Sequence, residues 1–442
     1  MSSGTVSTKL QKIAELSKQS PGMAITTLAH HIDVEFLEEA FRRTRKDGAT
    51  GVDGQTAEQY AENLIENLTS LLDRLKKGSY QAPPVRRGYV PKADRKKKRP
   101  IGMPTFEDKV LQRAVAMLLE AVYEQDFLDC SYGFRPKRSA HHAIRALWEG
   151  LMEIHGGWVI EIDIKSYFDN INHQHLREFL DKRVRDGVIR RAIDKWLSAG
   201  VMENGNIEYP ESGSPQGGVI SPILSNIYLH EVLDVWFERE VKPRLRGTAF
   251  LVRFADDCLV ACTDVNDARR IMLVLEKRLA RYGLELNRDK TRVVDFRRPP
   301  YGDSTNQHND EVRTPRSFDM LGITHYWGKS RKGKWVVKCK TAGDRLSRSL
   351  RAIAVWCKLY RHADLSWQHT QLVLKVRGHF AYYGITGNSR ALKGFLFQVR
   401  RIWCKWLFRR SHRRKAKWEK FNRIIDRYPF PGAVIMHKYS HP

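Results

Sequence analysis

Asp256 and Asp257 stand side by side between two apolar runs, Phe250-Leu-Val-Arg-Phe-Ala255 and Cys258-Leu-Val-Ala-Cys262. Phe250, Val252 and Phe254 alternate with Leu251 and Arg253, which predicts a β-hairpin with two carboxylates at its tip. Carboxylates between buried strands are costly unless cations or hydrogen-bond donors meet them. With 77 Lys and Arg against 50 Asp and Glu the chain has cations to spare, so a salt-bridged pair of turn acids is one reading. The other requires a third acid. In Trp158-Val-Ile-Glu-Ile-Asp-Ile164, the residues Trp158, Ile160, Ile162 and Ile164 alternate with Val159, Glu161 and Asp163, the period of a strand. Set beside the hairpin, this strand lets Asp163 face Asp256 across a pair of Mg²⁺ ions, hard cations that take carboxylate oxygens and leave positions for phosphate. That is a two-metal phosphoryl-transfer site, one ion activating a 3′-hydroxyl and the other taking charge on a leaving pyrophosphate. Neighbours on a strand point to opposite faces, so Asp257 joins only if the turn redirects it.

The elements around these acids carry further chemistry. Lys46-Asp-Gly-Ala-Thr-Gly-Val-Asp-Gly54 is a loop in which Lys46 is available for phosphate, or a generic surface loop. Tyr89 to Gly102 gives two short β runs around a basic turn, and Arg95 to Arg99 are all cationic. Such a turn suits a triphosphate or a nucleic-acid backbone, a solvated charge run being the alternative. Phe106 to Phe127 is an amphipathic core helix carrying Val110, Leu111, Val115, Leu118, Leu119 and Val122 on one stripe. Arg135, at a Gly-Phe-Arg-Pro turn, contacts template or nucleotide or else forms a structural corner. The glycines of Ser212-Gly-Ser-Pro-Gln-Gly-Gly218 let backbone approach a substrate, with Gln216 able to hydrogen-bond it. Gln174 to Trp196 reads as one helix, and Ala268 to Tyr282 as another.

Glu161 to Asn170, Ser214-Pro-Gln-Gly-Gly218 and Arg253-Phe-Ala-Asp-Asp257 resemble, in order and spacing, the signature blocks of reverse transcriptases. Ser131-Tyr-Gly-Phe-Arg-Pro136, Gly217-Gly-Val-Ile-Ser-Pro-Ile-Leu-Ser-Asn226 and Gly378-His-Phe-Ala-Tyr-Tyr-Gly384 look like those encoded by bacterial group II introns, the maturases. The resemblance runs from about Ala24 to about Trp418. It implies an α+β right-hand polymerase: a helical N-terminal extension over 1–88, fingers over 89–155, a palm with some fingers elements over 156–338, and a helical thumb or X domain with a basic C-terminus over 339–442. It also implies an RNA-directed DNA polymerase that extends a primer on an RNA template and binds intron RNA to assist splicing and retrohoming. Asp163, Asp256 and Asp257 would be the catalytic acids, joined as metal ligands by the carbonyl of Ile164. The cofactor would be two Mg²⁺ ions, with Mn²⁺ able to substitute. Lys92, Arg99, Phe168, Gln216 and Lys290 would meet the nucleotide, Phe168 as a steric gate against a 2′-hydroxyl and Lys290 at the pyrophosphate. On residues alone, Phe168 is core and Lys290 an exposed lysine. Lys46, Arg135, Arg409, Arg410, Arg413 and Arg414 would meet nucleic acid. Alternatives are an RNA-binding splicing maturase with little polymerase activity and a host-recruited reverse transcriptase for defence or DNA repair.

A net charge of +27 over 442 residues implies a polyanionic partner, and interleaved aromatics favour RNA template and DNA or RNA primer over a merely solvated surface. The six cysteines lack metal-ligand spacing, which points to reduced thiols in a bacterial cytoplasm. No apolar run approaches membrane-spanning length. Residues 1 to 20 read as weakly periodic and mobile. Beyond Leu346 three helical stripes predict a basic bundle, with no nuclease module after it; monomer and dimer are both open.

Overall fold

The computed structural model describes residues 2–91, 98–203, 205–209, 212–213, 217–299, 317–409 and 418–439. The chain is α+β, with helices at both ends and three antiparallel or mixed sheets among the described residues. It divides into two compact units: Met1–Ala143 with Ile160–Val260 and Asn266–Arg292, and Ile144–Val159 with Ala261–Val265 and Val293–Pro442.

In the first unit α1 (Ser2–Gln19) is an ordered helix where mobility was expected. Val6, Ile13 and Ser17 are buried on one face at helical spacing, and Arg183 donates to the carbonyl of Ser17 at 2.9 Å. The stripe is too sparse to be read locally, but it is sufficient once α2 (Val34–Arg43) and α5 (Phe106–Tyr123) lie beneath it. α3 (Ala57–Glu62) starts at a Thr56/Gln59 capping box, and α4 (Leu64–Lys77) ends at Gly78, whose φ of 77° is the left-handed conformation glycine adopts cheaply. β1 (Val85–Pro91) pairs antiparallel with β2 (Lys98–Met103), as the two β runs predict, within a sheet completed by β4 (Val201–Glu203) and β5 (Asn206–Glu208) in the order β2-β1-β4-β5. α5 (Phe106–Tyr123) buries the expected stripe completely.

α6 (Ala140–Glu153) leads to β3 (Trp158–Ile162). The helix expected over 174–196 is two, α7 (His173–Asp181) and α8 (Gly187–Leu197). The break is Asp186, whose carboxylate caps Val188 and Ile189 of α8 and also accepts from the backbone of Leu28 and Ala29. One acid thus satisfies four amides that helix continuity would have left unmet. β4 (Val201–Glu203) and β5 (Asn206–Glu208) precede α9 (Ser221–Leu229), which runs on into a π-helical turn, His230–Asp234. β6 (Ala249–Phe254) and β7 (Asp257–Cys262) form the expected hairpin, followed by α10 (Val265–Arg281) and β8 (Arg292–Asp295); the strand order is β6-β7-β3-β8.

In the second unit β9 (Phe318–Met320), β10 (Ile323–Lys329) and β11 (Trp335–Thr341) make a three-stranded meander. The predicted helices are α11 (Gly343–Leu359), α12 (Leu365–Tyr383) and α13 (Ser389–Leu407). A fourth, α14 (Trp418–Arg427), adds Phe421 to a core of Ile353, Leu372, Val376, Phe395 and Trp403. Among the described residues no helix is long and apolar enough to cross a membrane.

Candidate active site

The acids are placed by the register of two strands. The Cys258 thiol lies 4.0 Å from the Ile162 carbonyl, and the Cys262 thiol lies 3.7 Å from that of Trp158. Contacts advancing along β7 while receding along β3 make the pair antiparallel. The same contacts carried one step toward the tip would bring Asp257 opposite Asp163, with Asp256 at the adjoining turn.

The turn itself is held from behind. Ala255 has φ of 57°, a conformation that costs a non-glycine residue about 1 kcal/mol or more and persists only where its surroundings enforce it. Arg253 does so. It is fully buried; its guanidinium donates to both carboxylate oxygens of Asp234 at 2.7 and 2.5 Å, to Asn226 Oδ1 and the Ala255 carbonyl at 3.1 Å each, and to Ser131 Oγ at 2.8 Å. Burial alone would lower its pKa, but Asp234 more than offsets that and holds it above the ordinary arginine value. The backbones of Cys130 and Tyr132 bracket Arg253 at 2.8 Å, and Asn226 Nδ2 donates to the Gly133 carbonyl at 2.8 Å. A Cβ at Gly133 would stand 2.2 Å from the Ala255 amide nitrogen, so only glycine fits there. The cation anticipated for the hairpin is therefore one residue of the hairpin itself, and its partner is Asp234 rather than the two tip acids.

Asp163 is fixed from the other side by the segment after α10. Its amide donates to Thr291 Oγ1 at 3.2 Å, its carbonyl accepts from the Asn287 amide at 2.8 Å, and its carboxylate accepts from Asn287 Nδ2 at 3.1 Å and Lys290 Nζ at 3.0 Å. Lys290 thus serves Asp163 as counter-ion. Among the described residues no cluster of three or more His, Cys, Asp or Glu side chains is arranged as metal ligands. The donor set nevertheless suits Mg²⁺, since three carboxylates at one sheet end are hard oxygen donors. Ile164 is buried and bridged antiparallel to Leu286, which fixes its peptide next to Asp163.

Phe168 lies in a 3₁₀ turn, Tyr167–Asn170, entered through Ser166 at φ 45°. Its ring meets that of Tyr167 edge-on at 5.3 Å, and Tyr167 is buried and donates to the Ser225 carbonyl at 2.8 Å. Burial raises the Tyr167 phenol, and the charge of Asp256 adds to the shift. Phe168 is half-buried, which suits a wall of a site better than the core position its residue type suggests.

Arg99 is exposed on β2, paired with Val90. Lys92, Gln216, Arg410, Arg413 and Arg414 lie outside the described residues. Arg409 is exposed, its guanidinium 5.6 Å from the Trp406 ring. Lys46 and Arg135, both candidates for nucleic acid, make contacts within their own unit. Lys46 turns back on its own segment, donating to the Phe41 carbonyl and lying 3.4 Å above the Phe41 ring, while burial lowers its pKa from the ordinary lysine value. Arg135 is a corner: buried, paired with Glu124 at 3.0 Å, and donating to the carbonyls of Leu128 and Ser131.

A fold of antiparallel strands carrying paired acids on a hairpin tip and a third beside it is a nucleotidyl-transfer scaffold. Residues 90–325 match the reverse transcriptase (RNA-dependent DNA polymerase) family, and the chain belongs to it. That family works with divalent metal ions. The group II intron-encoded protein LtrA of Lactococcus lactis subsp. cremoris is 37% identical over 247 residues, 53% of this chain and 40% of that protein. Protein YkfC of Escherichia coli (strain K12) is 39% identical over 248 residues, 54% of this chain and 65% of its own length. The nuclear intron maturase 2, mitochondrial, of Arabidopsis thaliana is 28% identical over 238 residues, 42% and 31% of the respective chains. The first relatives are thus matched over less than two thirds of their length. The resemblance to bacterial group II intron-encoded reverse transcriptases is borne out, as is the α+β polymerase fold.

Proposed function

We propose that this chain is an RNA-directed DNA polymerase of the group II intron type, adding deoxynucleotides to a primer 3′-hydroxyl on an RNA template and binding intron RNA. The observation that supports the reading is the strand order β6-β7-β3, with the Cys258 and Cys262 thiols 4.0 and 3.7 Å from the Ile162 and Trp158 carbonyls, which suits Asp163 standing beside the tip acids Asp256 and Asp257. Bound divalent ions would supply charge neutralisation for the attacking and leaving oxygens. Asp163, Asp256 and Asp257, with the carbonyl of Ile164, would hold them. Arg253 fixes the turn that carries Asp256 and Asp257, while Asp163 would exchange its contact with Lys290 for the ion. Lys290, a neighbour of Asp163, would meet the pyrophosphate, and Arg99 on β2 the triphosphate. Phe168 would abut the sugar and reject a 2′-hydroxyl. The four-part division into extension, fingers, palm and thumb belongs to the same reading. Its test is primer extension on an RNA template with purified protein. Asp256→Ala should lower nucleotide addition at least about a thousand-fold, the worth of several kcal/mol of lost charge stabilisation, with RNA affinity nearly unchanged. Unchanged synthesis would refute it.

A further inference from the structure

The glycine turn after residue 216 is held by a polar chain buried in the first unit. Asp108 and Gln112, one turn apart on α5, are 2% and 3% exposed. Asp108 Oδ1 accepts from Tyr80 Oη and from Trp196 Nε1 at 2.8 Å, and its Oδ2 accepts from Gln112 Nε2 at 3.1 Å. Gln112 Oε1 in turn accepts from the backbone amides of Val219 and Ile220 at 2.8 and 3.3 Å. A carboxylate only accepts, so Asp108 obliges the Gln112 amide to present its nitrogen inward and its oxygen to the turn.

A void of about 10 Å³ lies between Asp108, Gln112, Trp196, Gly218 and Ile220, and the Gln112 oxygen spans to the turn beside it. On its far side the turn is pressed against β2: Gly217 has φ of 112°, and a Cβ there would stand 2.5 Å from the Gly102 carbonyl oxygen. The same strand carries Arg99. Backbone without side chains, packed on the strand that bears a triphosphate-binding arginine, is where a nucleotide can approach closely.

We propose that Asp108 and Gln112 are positioning residues that fix the Gly217–Ile220 backbone under the incoming nucleotide. The inference rests on the polymerase reading for its functional half only. Their polarity can be reversed without changing volume. In Asp108→Asn, the Trp196 indole can only donate and so keeps the Asn oxygen; the Asn nitrogen then faces residue 112. The Gln112 amide must flip, which aims its donors at two backbone N–H groups and releases the turn. Adding Gln112→Glu restores an acceptor on both sides, with one carboxylate in the network as before.

The experiment compares wild type, Asp108→Asn and Asp108→Asn/Gln112→Glu by amide hydrogen exchange and by steady-state primer extension. In the single variant exchange at Val219 and Ile220 should accelerate, and KM for the deoxynucleotide should rise, by about ten-fold each with kcat changed far less, the scale of one lost buried hydrogen bond. The double variant should recover both. Unaltered exchange in the single variant, or no recovery in the double, overturns the anchoring. Faster exchange with an unchanged KM overturns the positioning role. Absence of synthesis by wild type would remove the polymerase reading and the positioning role with it, while exchange still decides the anchoring.

Discussion

Arg253 and Asp234 form an ion pair with no exposed side-chain surface, and its perturbation tests how the catalytic hairpin is held. Arg253→Met removes five hydrogen bonds, leaves the Asp234 carboxylate buried and uncompensated, and frees Ser131 Oγ, Asn226 Oδ1 and the Ala255 carbonyl. Breaking one side of such a pair costs about 3–5 kcal/mol, because the stranded charge keeps its full desolvation penalty. Asp234→Leu should cost a similar amount. Replacing both removes the stranded charge, so Arg253→Met/Asp234→Leu should lose well under the sum, with a coupling of about 2 kcal/mol or more. Activity should part from stability: the double variant refolds its core yet no longer holds Ala255 at φ 57°, so nucleotide addition stays low. Denaturant unfolding of the four proteins, with primer extension on each, measures both. Additive losses would refute the coupled pair, and a stable double variant with wild-type synthesis would refute the hold on the turn.

Phe168→Ala should raise ribonucleotide incorporation relative to deoxynucleotide by at least about ten-fold, measured by competing substrates; unchanged sugar discrimination removes the gate. Asp108, raised to about 6 by burial, is a carboxylate at neutral pH but keeps its proton to a higher pH in the folded chain than in the unfolded one. Its contribution to stability is therefore full below pH 4 and is lost as pH rises toward 6, by about 3 kcal/mol. Urea unfolding of wild type minus Asp108→Asn across that window should show this slope, and a flat difference would contradict it. Lys46→Met should leave RNA affinity and its salt slope unchanged, since the ammonium is turned onto Phe41. Arg409→Ala/Arg410→Ala/Arg413→Ala, by contrast, should flatten the slope by about 0.9 for each phosphate that the side chains no longer neutralise. Nitrocellulose binding of an RNA hairpin at several salt concentrations reads both.

Much of this was legible because strands and catalytic tips have short-range signatures. The alternation from Phe250 to Cys262 and from Trp158 to Ile164 gave both strands and the place where their acids interrupt. The stripe of α5 and those of the three C-terminal helices were equally plain, since each repeats over several turns. What escaped was direction. Lys46 and Arg135 have the charge that nucleic acid requires, but charge does not say whether a side chain faces outward, and both face aromatic rings or carbonyls of their own unit. Arg253 shows in the sequence as an alternating strand residue at the head of the signature block, with nothing to mark it as buried. Its partner Asp234 sits in a π-helical turn that periodicity cannot foresee, and the extra residue in such a turn is what reorients a side chain. The break between α7 and α8 did carry a signal, Asp186 before Gly187, a helix-starting acid that a continuous helix leaves without a role.

The claim beneath all of this is that the acids at one sheet end jointly hold divalent ions in the working complex. Manganese binding, counted by electron paramagnetic resonance with primer, RNA template and a non-hydrolysable deoxynucleotide present, tests it most directly. The account predicts about two ions per wild-type chain and loss of at least one in Asp163→Asn with nucleic-acid binding retained. Full manganese occupancy in that variant would contradict it.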